Sequence, residues 1–355
     1  MTLTGPVLVV GTGLLGTSVG LACRRAGLDV LLSDTATEHL RTATGLGAGR
    51  PATGEERPQL VVVAVPPDHL GPTLLAQLAA TDAIVTDVGS VKTGPLAAVE
   101  RAATPDQLAR YVGGHPMAGS ERSGPLAAVA GLFDGRPWAV TPHPAARDDA
   151  TEVVWELALA CGAVPVRLSP EEHDRAVART SHLPQLVSAL VAGRLTAAPP
   201  EHLVLSGQGV RDVTRIAGSD PALWQQIIDA NAEAVLDVLA EVRADLDSLM
   251  TAVSTGERDA LGELLARGVA GTRAIPGKHG GPARPTTSVL VAVPDHPGEL
   301  ARLFADAGDS GVNIEDVRID HDPGRAMGLV ELVVEEQRAE HLRASLESRD
   351  WETHR

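Results

Sequence analysis

A histidine flanked by glycine and proline is the first residue whose type and setting could carry acid–base chemistry. His115 lies within GGHPMAGSE, residues 113–121, and these small residues predict a loop with little structure to occupy an imidazole. A neutral histidine, with an ordinary pKa of ~6.5, can accept a proton near neutral pH. Most single histidines are surface or core residues, but the glycine-rich setting, in a domain that also carries the dinucleotide motif described below, favours a functional residue, which we expect the loop to expose at the edge of a sheet.

Two further stretches hold polar side chains that could accompany such a base. Ser90 lies in TDVGSVK, residues 86–92, directly after an apolar run that predicts a buried strand. Residues in that position fall at the carboxyl edge of a parallel sheet, where open sheets bind ligands. His182 lies in TSHLPQ, residues 180–185, within a region of helical periodicity.

An arginine pair in residues 211–215 (RDVTR) is suited to binding a carboxylate. If this segment is helical, Arg211 and Arg215 share one face, and Asp212 lies beside Arg215. A guanidinium group can bind a carboxylate through two parallel hydrogen bonds. The pattern therefore predicts an anion clamp, although an ordinary surface cluster of ion pairs would have the same sequence.

A glycine motif near the start of the chain predicts a dinucleotide site. The sequence GTGLLG, residues 11–16, joins the first apolar run to the first helical stretch. Gly11 permits the tight turn, Gly13 lets a pyrophosphate approach the backbone, and Gly16 lets the helix pack on the sheet. The free N–H groups at the helix N-terminus would bind the phosphates.

An acidic residue after the second strand indicates which dinucleotide binds. Asp34 follows the glycine motif at about the ~20-residue spacing expected for a ribose-binding carboxylate. A carboxylate accepts hydrogen bonds from ribose hydroxyls and repels a 2′-phosphate, and no Arg or Lys follows until Arg41. The sequence therefore predicts NAD rather than NADP, with a structural turn and a chance Asp as the alternative. The predicted cofactor-binding residues are Gly11, Gly13, Leu14, Leu15, Gly16 and Asp34.

The order of apolar runs predicts the elements that must position these residues. In residues 1–168, short apolar runs alternate with helical stretches, which predicts an α/β domain of the Rossmann type with a parallel sheet covered on both faces. Residues 169–274 show only helical periodicity and predict an all-α substrate and dimerisation domain. The predicted strands of the first domain are Pro6–Val10, Asp29–Ser33, Leu60–Val65, Ala83–Asp87 and Trp138–Thr141.

Capping residues mark two helix starts in the all-α domain. Ser169, followed by proline and two glutamates, predicts one N-terminus, and residues 219–221 (SDP) predict another. Apolar residues recur at helical spacing from Leu223 to Met250, so the second helix could run about 30 residues, roughly 45 Å at 1.5 Å per residue. An apolar stripe of that length in a small domain needs cover, which predicts a homodimer.

A Gly/Pro-rich linker, residues 275–285, precedes a small C-terminal domain. Residues 286–355 follow a strand-helix-strand-strand-helix-strand order, which predicts a ferredoxin-like βαββαβ fold. A helix N-terminus near Gly298 would offer N–H donors, so we expect His296, Gly298 and Asn313 to form a regulatory site. The predicted strands are Ser288–Val293, Asn313–Ile319, Met327–Val334 and Trp351–His354, and the predicted helices are Pro297–Ser310 and Arg338–Leu346.

Charge and composition argue against several classes of partner. The 355 residues carry a formal net charge of −16 with a pI of about 5.1, which disfavours nucleic acid and anionic membranes. Cys23 and Cys161 are the only cysteines, and no Cys/His cluster has zinc spacing, so we expect no disulfide framework and no metal. The N-terminus lacks a signal-peptide pattern and no apolar run reaches ~20 residues, so we expect a cytoplasmic protein.

The stretches described above resemble the prephenate and arogenate dehydrogenases, the TyrA family. The resemblance covers roughly residues 5–250 and is carried by GTGLLGTS, TDVGSVK, GGHPMAGSERSG, TSHLPQ and GVRDVTRIAGSDPALW. The C-terminal stretches PDHPGEL and GVNI resemble an ACT domain, a small-molecule regulatory module. The chain departs from many members at Gln185, where they have a second histidine, and at Val210, where they have phenylalanine.

The resemblance implies a role for each candidate residue. His115 would accept the proton of the substrate's ring hydroxyl, and Ser90 would bond to the same hydroxyl. Arg215 would bind the ring carboxylate. Asp212 and Glu121 would hold that arginine, while His182 and Ser120 would line the pocket, with Arg211 nearby.

The implied reaction is the NAD-dependent oxidative decarboxylation of prephenate to 4-hydroxyphenylpyruvate in tyrosine biosynthesis. An arogenate dehydrogenase, which would form tyrosine directly, is the nearest alternative. A β-hydroxyacid dehydrogenase is a second alternative. Those enzymes usually have a catalytic lysine in the helical domain, and the absence of any lysine between Lys92 and Lys278 argues against this alternative. A catalytically silent protein that senses NAD and amino acids is a further alternative. The ACT resemblance implies an aromatic amino acid as effector, and a module kept only for assembly is the alternative there.

Overall fold

The structure is a computed structural model that describes residues 2–119, 122–275, 285–320 and 327–354. It forms two compact units, of which the first ends at Ala244 and the second begins at Asp245. Most of the predicted linker, residues 276–284, lies outside the described residues. The predicted domain boundaries therefore stay predictions.

Five short strands form the parallel sheet predicted for the N-terminal part of the chain. They are β1 (Val7–Val10), β2 (Val30–Ser33), β3 (Arg50–Pro51), β4 (Leu60–Val63) and β5 (Ile84–Asp87). Their order is β3-β2-β1-β4-β5, and all pairs are parallel. Every residue of β4 and β5 is buried, because helices cover both faces of the sheet. The Rossmann-type prediction is confirmed, apart from the two-residue edge strand β3, which the sequence did not indicate.

A second, three-stranded sheet corrects two predictions. Its strands are β6 (Gly113–Pro116), β7 (Pro137–Thr141) and β8 (Val164–Arg167), with β6 antiparallel and β8 parallel to the central β7. Residues 113–116 are therefore a strand and not a loop, and 138–141 do not belong to the parallel sheet. Glycine and proline disfavour strands in general, but here a Cβ on Gly114 would lie 2.8 Å from the Asp87 carbonyl oxygen, so only glycine lets β6 pack this closely.

Helices flank both sheets, and the elements that follow β8 up to Ala274 are all helical. Those of the α/β part are α1 (Leu14–Arg25), α2 (Thr37–Gly45), α3 (Pro67–Ala80), α4 (Thr93–Ala102), α5 (Pro105–Leu108) and α6 (Asp148–Ala160). Those that follow are α7 (Pro170–Val177), α8 (Leu183–Leu195), α9 (Pro200–Leu203), α10 (Gln208–Thr214), α11 (Pro221–Ala230), α12 (Ala232–Thr255) and α13 (Arg258–Ala274). Ser169 caps α7 in a capping box with Glu172, and Asp220 caps α11, so both predicted helix starts are confirmed.

The single long helix predicted from Pro221 is wrong. The chain leaves helical geometry at Asn231, which separates α11 from α12. The Asn231 side chain is buried and donates hydrogen bonds to a carbonyl and to a histidine of another segment. Asparagine competes with the helical backbone for hydrogen bonds, so this tertiary contact decides where the helix ends.

The C-terminal unit contains the predicted ferredoxin-like order of elements. These are β9 (Thr286–Pro294), α14 (Glu299–Asp309), β10 (Asp316–Asp320), β11 (Met327–Glu335), α15 (Glu336–Glu347) and β12 (Glu352–His354). The sheet is antiparallel, with order β10-β11-β9-β12. Most boundaries differ from prediction by one to three residues. For example, α14 begins at Glu299, after Gly298 in left-handed backbone, and β10 begins at Asp316 and not at Asn313. No helix among the described residues is both long and apolar enough to cross a membrane.

Candidate active site

The glycine loop has the geometry of a dinucleotide site. Gly11 adopts φ +96°, a left-handed conformation that glycine tolerates best, and a Cβ at Gly16 would overlap the Gly11 carbonyl oxygen. A Cβ at Gly13, in contrast, would meet nothing within 4 Å, so space for a ligand opens in front of this residue. No side chain caps α1 at Gly13, which leaves the N–H groups of Leu14 and Leu15 in the helix's first turn for phosphate oxygens.

Asp34 is fixed at the same edge of the sheet. It follows β2, and its carboxylate accepts hydrogen bonds from the Thr12 N–H at 2.6 Å, the Thr12 hydroxyl at 2.7 Å and the Ala36 N–H at 2.7 Å. Burial raises the pKa of Asp34, but these hydrogen bonds outweigh it and lower the pKa overall. A half-buried, ionised carboxylate beside the glycine loop therefore fits ribose recognition.

His115 is buried, which corrects the prediction that a loop exposes it. It lies in β6 with 9% of its surface accessible. Its Nδ1 lies 2.9 Å from Nε2 of His173, a residue that the sequence did not single out. Burial lowers the pKa of His115 well below its ordinary value, and the neighbouring His173, Lys92 and His182 lower it further. The ring is therefore neutral near pH 7, as a general base must be.

A buried carboxylate lies behind the two histidines. Nδ1 of His173 is 2.8 Å from Oδ1 of Asp174, and the Asp174 carboxylate also accepts the N–H groups of Lys92 and Thr93 at 2.8 and 2.9 Å. The Thr93 hydroxyl donates to it at 2.5 Å. Burial raises the pKa of Asp174, but the hydrogen bonds prevail and lower it. His173 and Asp174 lie in the first turns of α7 and are buried. No pattern in the sequence indicates this burial, so the sequence does not distinguish them from other polar helix residues.

A buried ion pair joins the loop after β5 to the strand that holds His115. Nζ of Lys92 bonds to the Asp87 carboxylate and, at 2.6 Å, to the carbonyl oxygen of Gly114. Asp87 also accepts the Tyr111 hydroxyl at 2.8 Å and the Gly89 N–H at 2.7 Å. Burial lowers the pKa of Lys92, and the Asp87 carboxylate opposes this. The pair fixes the residue next to His115 against the carboxyl edge of the parallel sheet.

His182 is held in one tautomer by the asparagine that interrupts the long helix. The Asn231 amide group donates to the Asp174 carbonyl oxygen at 2.9 Å and to Nδ1 of His182 at 3.2 Å. Because Nδ1 accepts, the proton of the neutral ring lies on Nε2. Burial lowers the pKa of His182 to about 4. The residue can therefore donate one hydrogen bond from Nε2 at neutral pH. It ends a five-residue π-helical turn, and its ring lies edge-on to Trp224.

Ser90 and the arginine pair lie in less constrained positions. Ser90 is half-buried in the loop after β5, and its hydroxyl forms no hydrogen bond within the described part of the chain. Arg211 and Arg215 are both exposed, and Arg215 begins a short 3₁₀ segment after α10. Asp212 accepts a hydrogen bond at 2.8 Å from Gln208, one helical turn earlier, and no ion pair with Arg215 is present among the described residues.

Two predicted site residues cannot be placed, and no metal site is found. Ser120 and Glu121 lie outside the described residues. In the described ranges, no group of three or more His, Cys, Asp and Glu side chains could hold a metal ion. The glycine loop, Asp34 and the neutral, buried His115 all lie in the α/β part of the chain.

Comparison with known families agrees with this geometry. Residues 19–167 match the family described as prephenate dehydrogenase, nucleotide-binding domain, and residues 169–267 match prephenate dehydrogenase, dimerization domain. This chain belongs to the prephenate dehydrogenase family. The two matches cover the Rossmann-type part from residue 19 onward and the helical segments that carry His173, His182 and Arg215.

Individual prephenate dehydrogenases are similar over most of their length. The probable prephenate dehydrogenase NovF of Streptomyces niveus is 40% identical over 359 residues, which cover 97% of this chain and 98% of that protein. The crystal structure of the A. aeolicus prephenate dehydrogenase in complex with hydroxyphenyl propionate and NAD⁺ has a TM-score of 0.69 at 29% identity, covering 77% of this chain and 98% of that one. The Synechocystis arogenate dehydrogenase has a TM-score of 0.64 at 26% identity, covering 75% and 98%.

The cofactor of this prephenate dehydrogenase family member is NAD, as the sequence predicted. The glycine loop and Asp34 form a nucleotide-binding arrangement, and the matched family domain is described as nucleotide-binding. Gly13 leaves open space where the pyrophosphate would lie, and Asp34 would accept hydrogen bonds from the ribose. The residues present therefore fit the dinucleotide.

Proposed function

We propose that this protein oxidises prephenate with NAD⁺ and releases its ring carboxylate as CO₂, which yields 4-hydroxyphenylpyruvate for tyrosine biosynthesis. The observation that carries the proposal is the buried, neutral His115, which is joined through Gly114 and Lys92 to the sheet edge that holds the nucleotide loop. A base in this position can take a proton from a substrate that lies against the nicotinamide. The similarity to prephenate dehydrogenases over nearly the whole chain supports the choice of substrate.

His115 and Ser90 act on the ring hydroxyl. Prephenate carries this hydroxyl and a carboxylate on a cyclohexadiene ring, together with a pyruvyl side chain. Nε2 of His115 takes the hydroxyl proton while Ser90 bonds to the same oxygen, and bound NAD⁺ supplies the hydride acceptor. Loss of CO₂ then makes the ring aromatic, and the oxygen takes the proton back from His115.

Arg215 and His182 bind and orient the substrate. Arg215 is exposed and has no hydrogen-bond partner within the described residues, so its guanidinium group is free to bind the ring carboxylate. His182 donates from Nε2 to a substrate oxygen. The other predicted pocket residues are Arg211, Asp212, Ser120 and Glu121, and the hydrogen bond from Gln208 makes Asp212 a weaker candidate for holding Arg215.

The decisive experiment is to incubate the purified protein with NAD⁺ and either prephenate or arogenate and to follow NADH absorbance. Turnover of prephenate supports the proposal. Turnover of arogenate alone would favour the alternative that Gln185 and the Synechocystis similarity leave open. Absence of turnover with both would favour a silent NAD- and amino-acid-sensing protein.

Replacing Asp34 should weaken NAD⁺ binding and reduce discrimination against NADP⁺. We expect Asp34→Ser to raise KM for NAD⁺ about 10-fold or more, because hydrogen bonds to charged groups contribute about 1.5–3 kcal/mol. Initial rates with both cofactors measure the change. Asp29→Ser, at the other end of β2, is the control and should keep the wild-type preference. Use of NADP⁺ as readily as NAD⁺ by the wild type would show that the ribose assignment is wrong.

Replacing Arg215 should weaken substrate binding more than it slows turnover. We expect Arg215→Gln to raise KM for prephenate by ~10–100-fold with a smaller change in kcat, the pattern of a lost interaction present in both ground and transition states. Arg211→Gln is the paired comparison and should change KM less. If KM is unchanged in Arg215→Gln but raised in Arg211→Gln, the carboxylate binds at Arg211 instead.

We also propose that the protein acts as a cytoplasmic homodimer. The family description of residues 169–267 as a dimerization domain supports this assembly. Leu236, Leu246, Met250 and Val253 of α12 are more than half exposed in the single chain, so an apolar surface is available on that helix. The break at Asn231 shortens the predicted stripe without removing this surface.

An aromatic amino acid such as tyrosine is the proposed effector of the C-terminal unit. Gly298, at φ +96°, precedes α14 and has open space around its Cβ position, and Asn313 lies in the short segment before β10. We expect tyrosine to inhibit the enzyme by changing its apparent affinity for the substrate about 5- to 150-fold. This is the range that a coupling free energy of ~1–3 kcal/mol between the effector and substrate sites produces. His296→Ala and Asn313→Ala should reduce this inhibition and leave uninhibited turnover intact. Undiminished inhibition in both variants would place the tyrosine site elsewhere, and no inhibition of the wild type would favour a module kept for assembly.

A further inference from the structure

Three buried side chains form a continuous hydrogen-bonded row that begins at the proposed base. His115 Nδ1 lies 2.9 Å from His173 Nε2, and His173 Nδ1 lies 2.8 Å from Asp174 Oδ1. The three residues are 9%, 1% and 3% exposed, so solvent does not compete for these contacts. Each ring nitrogen can either donate or accept, and only the chemistry of the partners decides which.

The donors around Asp174 decide the direction of the row. The Lys92 N–H at 2.8 Å and the Thr93 N–H at 2.9 Å can only donate, and each points at a different oxygen of the carboxylate. The Thr93 hydroxyl adds a third donor at 2.5 Å. Both oxygens of Asp174 therefore accept hydrogen bonds, and these bonds lower the pKa of Asp174 despite its burial, which favours the ionised carboxylate. It follows that His173 Nδ1 carries the proton in the contact with Asp174.

The remaining protons are then determined one after another. A neutral His173 with its proton on Nδ1 has a lone pair on Nε2, so His115 Nδ1 must be the donor in the contact between the two rings. His115 consequently has its lone pair on Nε2, the nitrogen that is left for the substrate. We propose that Asp174, acting through His173, holds His115 in the tautomer whose Nε2 is the free base, and that His173 shares the proton which His115 takes up.

The proton movement balances at every step. When the substrate O–H bond breaks, an N–H bond forms at His115 Nε2, and the oxygen keeps the electron pair and becomes a ring carbonyl as hydride leaves the ring carbon. The Nδ1 proton of His115 can then pass to His173 Nε2, which places the positive charge next to the Asp174 carboxylate. On loss of CO₂, the electron pair of the broken C–C bond enters the ring, and the phenolate oxygen recovers the proton by the reverse path.

This inference makes His173 and Asp174 positioning residues for the proposed reaction and so rests on the proposed role of His115. Its first test is the tautomer itself, which requires no substrate. We expect ¹⁵N spectra of histidine-labelled wild-type protein at about pH 8, where the rings are neutral, to show the Nδ1–H form for both His115 and His173. The signals are assigned by their loss in His115→Asn and His173→Asn. A proton on Nε2 of His115 in the wild type would overturn the proposal.

The second test removes the charge that directs the row. Asp174→Asn removes the charge and one of the two acceptor oxygens, so the side chain no longer requires a proton on His173 Nδ1, and the reversed row, in which Nε2 of His115 carries the proton, becomes possible. We expect the His115 signals to change to the Nε2–H form and kcat to fall by ~10²–10⁴-fold, as for a base held in the wrong tautomer, with KM within a few-fold of wild type. His143→Asn removes an equally buried histidine outside the row and should change neither the tautomer nor kcat. An unchanged tautomer or an unchanged kcat in Asp174→Asn contradicts the inference.

A pair of variants keeps the inference testable if Asp174→Asn does not fold. In His173→Gln, the side-chain oxygen can still accept from His115 Nδ1 but cannot take up a proton, whereas His173→Leu offers neither property. We expect His115 to keep its Nδ1–H form in the glutamine variant only, and kcat to fall less there than in the leucine variant. Equal kcat in the two variants would overturn the proposal. Lack of turnover by the wild type with prephenate would count against the proposed function, while the spectra would still decide the tautomer.

Discussion

His115→Asn should lower kcat by ~10²–10⁴-fold, the range typical of a lost general base. Asparagine can still form hydrogen bonds in β6, but its amide cannot accept the hydroxyl proton, so the chemical step loses its base. KM for prephenate should stay within a few-fold of wild type, because the proposed carboxylate contact at Arg215 is untouched. Steady-state rates and thermal unfolding, measured together, separate loss of the base from loss of the fold.

His143→Asn is the matched control for this variant. His143 is also buried, at 4% exposure, but its ring bonds to the Tyr111 carbonyl oxygen and not to His173. The His143→Asn variant should lose stability without a comparable loss of kcat. Near-normal turnover in His115→Asn would show that another group takes the proton.

The pH dependence of the wild type provides an independent check on the same residue. Only the neutral form of His115 accepts a proton, and burial lowers the pKa of His115 well below its ordinary value. The acid limb of kcat/KM should therefore lie below pH ~6.5. Loss of activity with an apparent pKa at or above that of an exposed histidine would contradict this placement of the base.

Lys92→Met should lower the free energy of unfolding by about 3–5 kcal/mol, the usual cost of removing one partner from a buried ion pair. The Lys92 side chain is 1% exposed and Asp87 is fully buried, so the variant would leave the Asp87 carboxyl group buried without its counterion. The Tyr111 hydroxyl and the Gly89 N–H would still donate to it, but neither carries a charge. Urea unfolding of the variant without substrate or cofactor measures the loss.

A surface ion pair in the same unit is the control. Arg25 and Asp134 are bonded at 2.6 Å but are 43% and 52% exposed, so Arg25→Met should cost no more than about 1 kcal/mol. Adding Asp87→Asn to Lys92→Met should recover part of the lost stability, because no unpaired charge then remains buried. A loss in Lys92→Met as small as that in Arg25→Met would mean that water reaches the pair.

Local patterns in the sequence were sufficient for most of the order of elements. The alternation of apolar runs, the glycine motif and the capping residues Ser169 and Asp220 each depend on residues within a few positions of one another. The parallel sheet, the position of Asp34 at the end of β2 and the βαββαβ order of the C-terminal unit could therefore be predicted. His115 and His182 were also identified, because unusual neighbours distinguish them along the chain.

Predictions failed where distant segments decide the structure. Gly113 and Gly114 are poor strand residues by themselves, and only their close approach to Asp87 and Thr141 makes β6 a strand and buries His115. The helix expected to continue past Asn231 ends there because this side chain bonds to Asp174 and His182, 57 and 49 positions away.

The sequence alone was enough to predict which residue types this protein has for binding a dinucleotide and moving a proton, but it indicated a loop and not a strand for His115. The sequence did not distinguish His173 and Asp174 from other polar residues at the start of a helix, because helical periodicity does not show which segment a helix face packs against. Only the tertiary structure brings α7 onto β6 and the loop after β5, and excludes water from the contact. The tautomer of His115 follows from that enclosure, since a buried carboxylate with fixed N–H donors leaves each nitrogen in the row a single role.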